Sequence, residues 1–166
     1  FVREKVDINW LNKDDIIGNT VDLPHSWNET DTYQKNVTYY QGDGAYRKSF
    51  ILPKDHSLQK EPYCWNLVAE GFYGAGDVWI NGRHVDQVEG QYLGFQLDVT
   101  DRLLAGERNF IGIRLNNNYH PYILPGKKDP DFLLYGGMAG RVYLQRVPAL
   151  SIEPYSLRVI CADPLN

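Results

Sequence analysis

Asp77-Val78-Trp79-Ile80, then Asn81-Gly82, then Arg83-His84-Val85 decides the fold class: two runs rich in β-branched and aromatic residues meet at Asn-Gly. That dipeptide supplies the two positive φ angles of a type I′ turn, so the stretch reads as a β-hairpin. The same pattern recurs on either side. From Ala45 to Leu52, Tyr46, Phe50 and Leu52 fall on one side of a period-2 strand and Arg47 and Ser49 on the other, with Lys48 breaking the alternation. From Asn109 to Leu115 the core face carries Ile111, Ile113 and Leu115, with Arg114 opposite. Val142 and Leu144 repeat the pattern in the last strand of the main body. No window of about a dozen residues holds a helical period, so the chain is expected to be all-β. Asp98 to Leu104 reads as a strand end followed by one helical turn, capped by Thr100 or Asp98 and unable to pass Gly106.

Between these strands the punctuation is informative. Residues Asn116 to Tyr135 contain three prolines, a glycine and several Asn and Asp residues, the marks of a long surface loop. Loops of that length in a compact domain usually carry function. After Val147 the composition changes to Pro148, Pro154 and an apolar stretch from Leu157 to Cys161. Residues 1–147 are therefore expected to form one domain, and residues 148–166 a linker and the opening strand of a following one.

Composition removes several classes. At 166 residues the chain is long enough to bury roughly 70% of its unfolded surface without staples. Its 43% hydrophobic and 23% charged content is that of a soluble globular domain, and its apolar runs are too short to cross a bilayer as a helix. A formal net charge of −4 opposes nucleic-acid binding, which draws on clustered Lys and Arg. The aromatic content of 13%, with 12 Tyr and 4 Trp, suits β-structure and equally suits sugar or protein contact. Two cysteines, Cys64 and Cys161, make no disulfide framework. A chain starting at Phe1 without an initiator Met or an apolar signal segment fits a trimmed chain or a mature secreted protein, and a periplasmic or secreted location is the expectation.

Four segments in fixed order carry a resemblance: Leu23-Pro24-His25-Ser26-Trp27-Asn28; Tyr39-Tyr40-Gln41-Gly42-Asp43-Gly44-Ala45-Tyr46-Arg47-Lys48-Ser49-Phe50; Glu70-Gly71 leading to Val78-Trp79-Ile80-Asn81-Gly82; and Tyr135-Gly136-Gly137-Met138. Gly90 to Phe95 and Asp98-Val99-Thr100 add to the series. Together they resemble the sugar-binding, jelly-roll domain (galactose-binding-domain-like) of family 2 glycoside hydrolases such as β-galactosidases, over roughly residues 10 to 147. The resemblance implies a β-sandwich that docks on a downstream immunoglobulin-like domain and a (β/α)-barrel holding both catalytic glutamates. Read physically, the same motifs are packing devices. Pro24 ends a strand, Trp27 offers an apolar body with one indole donor, and Gly42-Asp43-Gly44 permits close approach to a neighbouring strand. One departure from the family pattern is Arg141, which stands one place later than the family arginine. On a strand that shift sends the side chain to the opposite face.

Glycoside hydrolysis needs two carboxyl groups facing each other across the scissile bond. Glu29, Glu70, Glu89 and Glu107 lie in expected turns or strand ends without a catalytic signature, so no catalytic residue is assigned. His25, His56, His84 and His120 have no zinc spacing, and no serine sits in a nucleophile elbow. Asp98, Asp101, Asp129 and Asp131 are not ordered into a calcium loop. No metal and no other cofactor is expected. Asn28 and Asn36 begin Asn-x-Thr sequons.

The resemblance does single out Asp131, six positions before Gly137, where some β-galactosidases of the family place an aspartate that reaches the sugar in the barrel. The plain alternative is a turn aspartate beside Pro130. A second substrate contact, from the segment before the Tyr46 strand, falls on Tyr40 or Gln41. The function expected is therefore the non-catalytic amino-terminal domain of a family 2 glycosidase in carbohydrate metabolism. The alternatives are a stand-alone carbohydrate-binding module, whose exposed aromatics would stack on sugars, and a structural or homo-oligomer-forming domain.

Overall fold

The computed structural model describes residues 1–7, 10, 18–54, 62–126, 130–152 and 156–160. Among the described residues nine strands follow in chain order: β1 (His25–Ser26), β2 (Asp43–Ile51), β3 (Tyr63–Ala69), β4 (Tyr73–Ile80), β5 (Arg83–Gln91), β6 (Phe95–Asp98), β7 (Arg108–Asn116), β8 (Gly137–Met138) and β9 (Val142–Pro148). They form two antiparallel sheets. The larger runs β1-β8-β4-β7-β2 with β5 also paired to β4, and the smaller runs β6-β3-β9. Every long strand pairs with a partner distant in sequence or returns by a hairpin, the pattern of a jelly-roll β-sandwich.

The hairpin forms as its sequence dictates. Asn81 (φ 51°) and Gly82 (φ 75°) make the turn, and Ile80 pairs with Arg83. What the sequence does not announce is the register shift at Val78/Trp79 against β5. Asn81 does more than turn the chain. Its Nδ2 donates to the Arg102 carbonyl at 2.8 Å and to Asn109 Oδ1 at 2.9 Å, while its Oδ1 accepts the Phe110 amide at 2.8 Å.

Period-2 alternation puts one face of each strand into the core. Ile113 and Ile111 of β7 pair with Val78 and Ile80 of β4, Leu115 joins the same cluster opposite Gly76, and Leu67 and Ala69 of β3 belong to it from the smaller sheet. Each large side chain so buried contributes about 1.5–3 kcal/mol. Tyr46 of β2 joins this cluster, whereas Lys48 occupies the same face near the sheet edge and stays exposed, which accounts for the broken alternation.

Two details correct the expectations. Pro24 does not end a strand: it precedes β1, after a cis peptide bond from Leu23. The helical turn after β6 is a 3₁₀ turn, Thr100–Arg102, which stops at Arg102 because Leu103 is already extended, well before Gly106. The Asp98 carboxylate accepts from the Thr100 amide at 2.9 Å and hydroxyl at 2.6 Å, while Thr100 Oγ1 accepts the Trp65 amide at 2.7 Å. Beyond β9, Leu157, Val159 and Ile160 are exposed. Cys64 of β3 carries a free thiol, and Cys161 lies outside the described residues.

Candidate functional site

The long loop, residues 117–136, leaves β7 and returns to β8 at one end of the sandwich. Polar backbone groups in a loop need partners when they are covered, and here they converge on one atom. The carbonyl oxygen of Leu134 accepts from Asn28 Nδ2 at 3.1 Å, from Asn117 Nδ2 at 2.9 Å and from the Tyr39 hydroxyl. Burial pushes the Tyr39 phenol up to about 12, so it remains a donor across the physiological range.

Both asparagines are fully buried and both reach a second segment. Asn28 Nδ2 also donates to the Tyr40 carbonyl at 3.0 Å, and its Oδ1 accepts the Gly136 amide at 3.0 Å and the Ser26 hydroxyl at 3.1 Å. Asn117 Oδ1 accepts the Gly42 amide at 2.8 Å, and the Asn117 backbone amide donates to the Gly42 carbonyl at 3.2 Å. Segment 39–42 and the loop base are therefore tied to each other twice. On the neighbouring side, the Tyr92 hydroxyl lies 3.2 Å from both the amide and the carbonyl of Tyr135, and the Tyr73 hydroxyl donates to the Leu124 carbonyl at 3.3 Å.

Above this locked base the loop turns apolar side chains to solvent: Tyr122 is 88% exposed, Leu124 64% and Phe132 54%. Asp131 stands beside Phe132 and is exposed. Of the three substrate-contact candidates, then, Asp131 lies on an open surface, and so does Gln41. Tyr40 does not offer its side chain freely. Its hydroxyl donates to the Asp43 carbonyl at 2.9 Å, its ring lies under the Arg3 guanidinium at 5.2 Å, and its amide donates to the buried Asp31 carboxylate at 3.0 Å. Burial raises its pKa. Asn28 links Tyr40 to the Asp131 loop, so the two predicted regions adjoin through the backbone and not through the predicted side chains.

The carboxylates are placed as structural groups. Arg141 lies just before β9 and holds Glu70 through Nε at 2.9 Å and Nη2 at 2.5 Å, which lowers the Glu70 pKa. The displaced arginine thus closes the Glu70-Gly71 corner. Asp77 is bound by Arg114 Nη2 at 2.6 Å and His84 Nε2 at 3.1 Å, and these bonds outweigh the effect of its burial to keep its pKa low. Among the described residues no cluster of three or more His, Cys, Asp or Glu side chains could hold a metal ion. No described helix is long and apolar enough to cross a membrane.

The sequence motifs share one neighbourhood. A Cβ on Gly44 or on Gly136 would overlap the Trp27 indole, so segments one, two and four pack on a single side chain. The family model for the sugar-binding domain of family 2 glycosyl hydrolases matches residues 2–148. The chain belongs to this family. It is 29% identical over 157 residues to a putative β-glucuronidase of Formosa agariphila, covering 88% of this chain and 18% of that protein. A putative β-galactosidase structure from Bacteroides fragilis superposes with a TM-score of 0.65 at 30% identity, over 75% of this chain and 18% of that one. β-Glucuronidase 2 of Bacteroides uniformis superposes with a TM-score of 0.73 at 26% identity, over 89% of this chain and 17% of that one. The chain thus spans less than a fifth of the length of these relatives, and within the family it is a sugar-binding-type domain, distinct from a whole glycosidase.

The asparagine bridges were not visible in the sequence. Asn28 appeared only as the end of a motif and a sequon, and Asn117 as one of three consecutive asparagines that signal a loop. Full burial also removes Asn28 as a glycan acceptor in the folded chain, whereas Asn36 is exposed.

Proposed function

We propose that this domain serves a longer family 2 glycosidase as a non-catalytic amino-terminal unit that helps complete the sugar site of a catalytic barrel. Its substrates are terminal β-glucuronides or β-galactosides, the two sugars named among its relatives. The observation that carries this reading is the contrast within residues 117–136. Their base is fixed by three donors to the Leu134 carbonyl, while Asp131, Phe132 and Tyr122 face outward on the tip. A rigid base under an exposed carboxylate and aromatic rings suits a loop that docks on another domain and places one charged group at a sugar hydroxyl.

In this arrangement Asp131 accepts hydrogen bonds from the non-reducing sugar, at a distance from the bond being cleaved. The chemistry itself belongs to a carboxylate pair in the barrel, since each glutamate of this chain named above sits in a turn, at a strand end or on an exposed strand face. The chain beyond β9 would lead into a following, immunoglobulin-like domain, which would cover the exposed Leu157, Val159 and Ile160. The test is an assay of the complete polypeptide and of the isolated 166-residue chain on aryl β-glucuronides and aryl β-galactosides. Turnover is expected only from the former, and turnover by the isolated chain would overturn the reading.

A specific observation also favours a second reading, a free-standing carbohydrate-binding module. Tyr33, like Tyr122, is more than four-fifths exposed, and exposed tyrosines stack on sugar faces. Binding of galactosides or glucuronides by the isolated domain, without any catalytic partner, would support it.

A further inference from the structure

We infer that Asn28 and Asn117 form a positioning clamp: they fix the Asp131 loop relative to segment 39–42, and so set where the Asp131 carboxylate meets its sugar. This rests on the reading of Asp131 given above. The argument starts from the Leu134 carbonyl, which has two lone pairs yet faces three side-chain donors, from Asn28, Asn117 and Tyr39. A loop that needed only to be covered would satisfy that carbonyl once. Here both asparagines also bind segment 39–42, Asn28 Nδ2 through the Tyr40 carbonyl and Asn117 Oδ1 through the Gly42 amide, a contact that the Asn117 backbone amide reinforces at the Gly42 carbonyl. One carboxamide touches the loop on both sides of Tyr135, at the Leu134 carbonyl and at the Gly136 amide. That fixes the direction in which the chain leaves towards Asp131, three residues before Leu134.

Both side chains are fully buried, so neither asparagine can meet a substrate, and any effect on sugar handling must pass through what they hold. Asparagine suits the task because one planar group donates twice and accepts at the same time. An aspartate would set a carboxylate against two carbonyls, and an alanine would leave buried backbone groups unpaired. A displacement of about 1 Å of a positioning group can cost on the order of 100-fold in rate, so a clamp of this kind is worth building even for a contact remote from the cleaved bond.

A double-variant cycle in the complete polypeptide tests the inference, with Asn28→Ser, Asp131→Ala and the pair assayed for kcat/KM on aryl glycosides below the melting temperature of each. If Asn28 acts through Asp131, Asn28→Ser lowers kcat/KM about tenfold and the double variant matches Asp131→Ala to within about twofold, because the second loss removes what the first had already misplaced. Stability should fall with Asn28→Ser whether or not Asp131 is present. Multiplying effects on kcat/KM, or wild-type kinetics for Asn28→Ser beside an impaired Asp131→Ala, would overturn the clamp while leaving Asp131 as a sugar contact. A silent Asp131→Ala would overturn the sugar contact, and the positioning role with it. Should Asn28→Ser fail to fold, Tyr39→Phe, which removes only one donor to the same carbonyl, takes its place in the cycle with the same expected coupling.

Discussion

A Cβ built on Gly44 would stand 2.5 Å from Cε3 of Trp27. The edge of the indole therefore occupies the space that any other residue at position 44 would need, and Gly136 meets the opposite part of the same ring system. Gly44→Ala is expected to destabilise the domain by about 1–3 kcal/mol, the usual cost of forcing a methyl group into a packed core. Thermal or chemical unfolding of the variant checks it. A shortened partner, Trp27→Leu combined with Gly44→Ala, should recover part of the loss.

The hairpin gives a second test. Gly82 has a φ of 75°, where a β-branched side chain is strained, so Gly82→Val is expected to cost about 1–2 kcal/mol. For a domain of this size that lowers the melting temperature by roughly 2–8 °C. Asn81→Ala should cost at least as much, because it also abandons the Arg102 carbonyl, Asn109 and the Phe110 amide. An unchanged melting temperature for Gly82→Val would show that the turn does not need a glycine.

A third expectation concerns pH. Burial lowers the His25 pKa and outweighs the pull of Glu29, with its Nδ1 2.8 Å from the Tyr46 hydroxyl and Phe1 against its ring. The folded chain thus binds this proton less readily than the unfolded chain. The associated stability is present above the ordinary imidazole value of about 6.5 and is lost as pH falls below it. Melting curves between pH 7.5 and 5.5, a range chosen to bracket about 6.5, should show a decline in the wild type that is shallower in His25→Asn. Equal slopes would mean that His25 does not drive it.

Much of this fold was legible because its signals are local. Asn81-Gly82 requires a turn on its own, and Ile111, Ile113 and Leu115 alternate whatever surrounds them. The loop at 117–136 could also be read from its prolines and asparagines. What could not be read are relations between segments far apart in the chain. Nothing near Asn28 in the sequence reveals that its amide meets Leu134, 106 residues away, and nothing near Arg141 points to Glu70. Tyr40 illustrates the limit at a candidate site. It lies just before the Tyr46 strand, where the resemblance puts a second sugar contact, yet Asp43, Arg3 and Asp31 absorb its polar groups and its ring. The Pro24 misplacement has the same origin, since a proline marks a strand boundary without saying which side the strand lies on.

The most direct measurement is the kinetics of Asp131→Ala in the complete polypeptide, with Asp129→Ala as its internal control and melting temperatures recorded for both. One charge-assisted hydrogen bond is worth roughly 1.5–3 kcal/mol, or about a 10- to 150-fold fall in kcat/KM. If the contact strengthens in the transition state, kcat and kcat/KM fall together for Asp131→Ala while Asp129→Ala stays near wild type and both melt as the parent does. Wild-type kinetics for both variants, with stability intact, would contradict the account and leave Asp131 a turn residue beside Pro130.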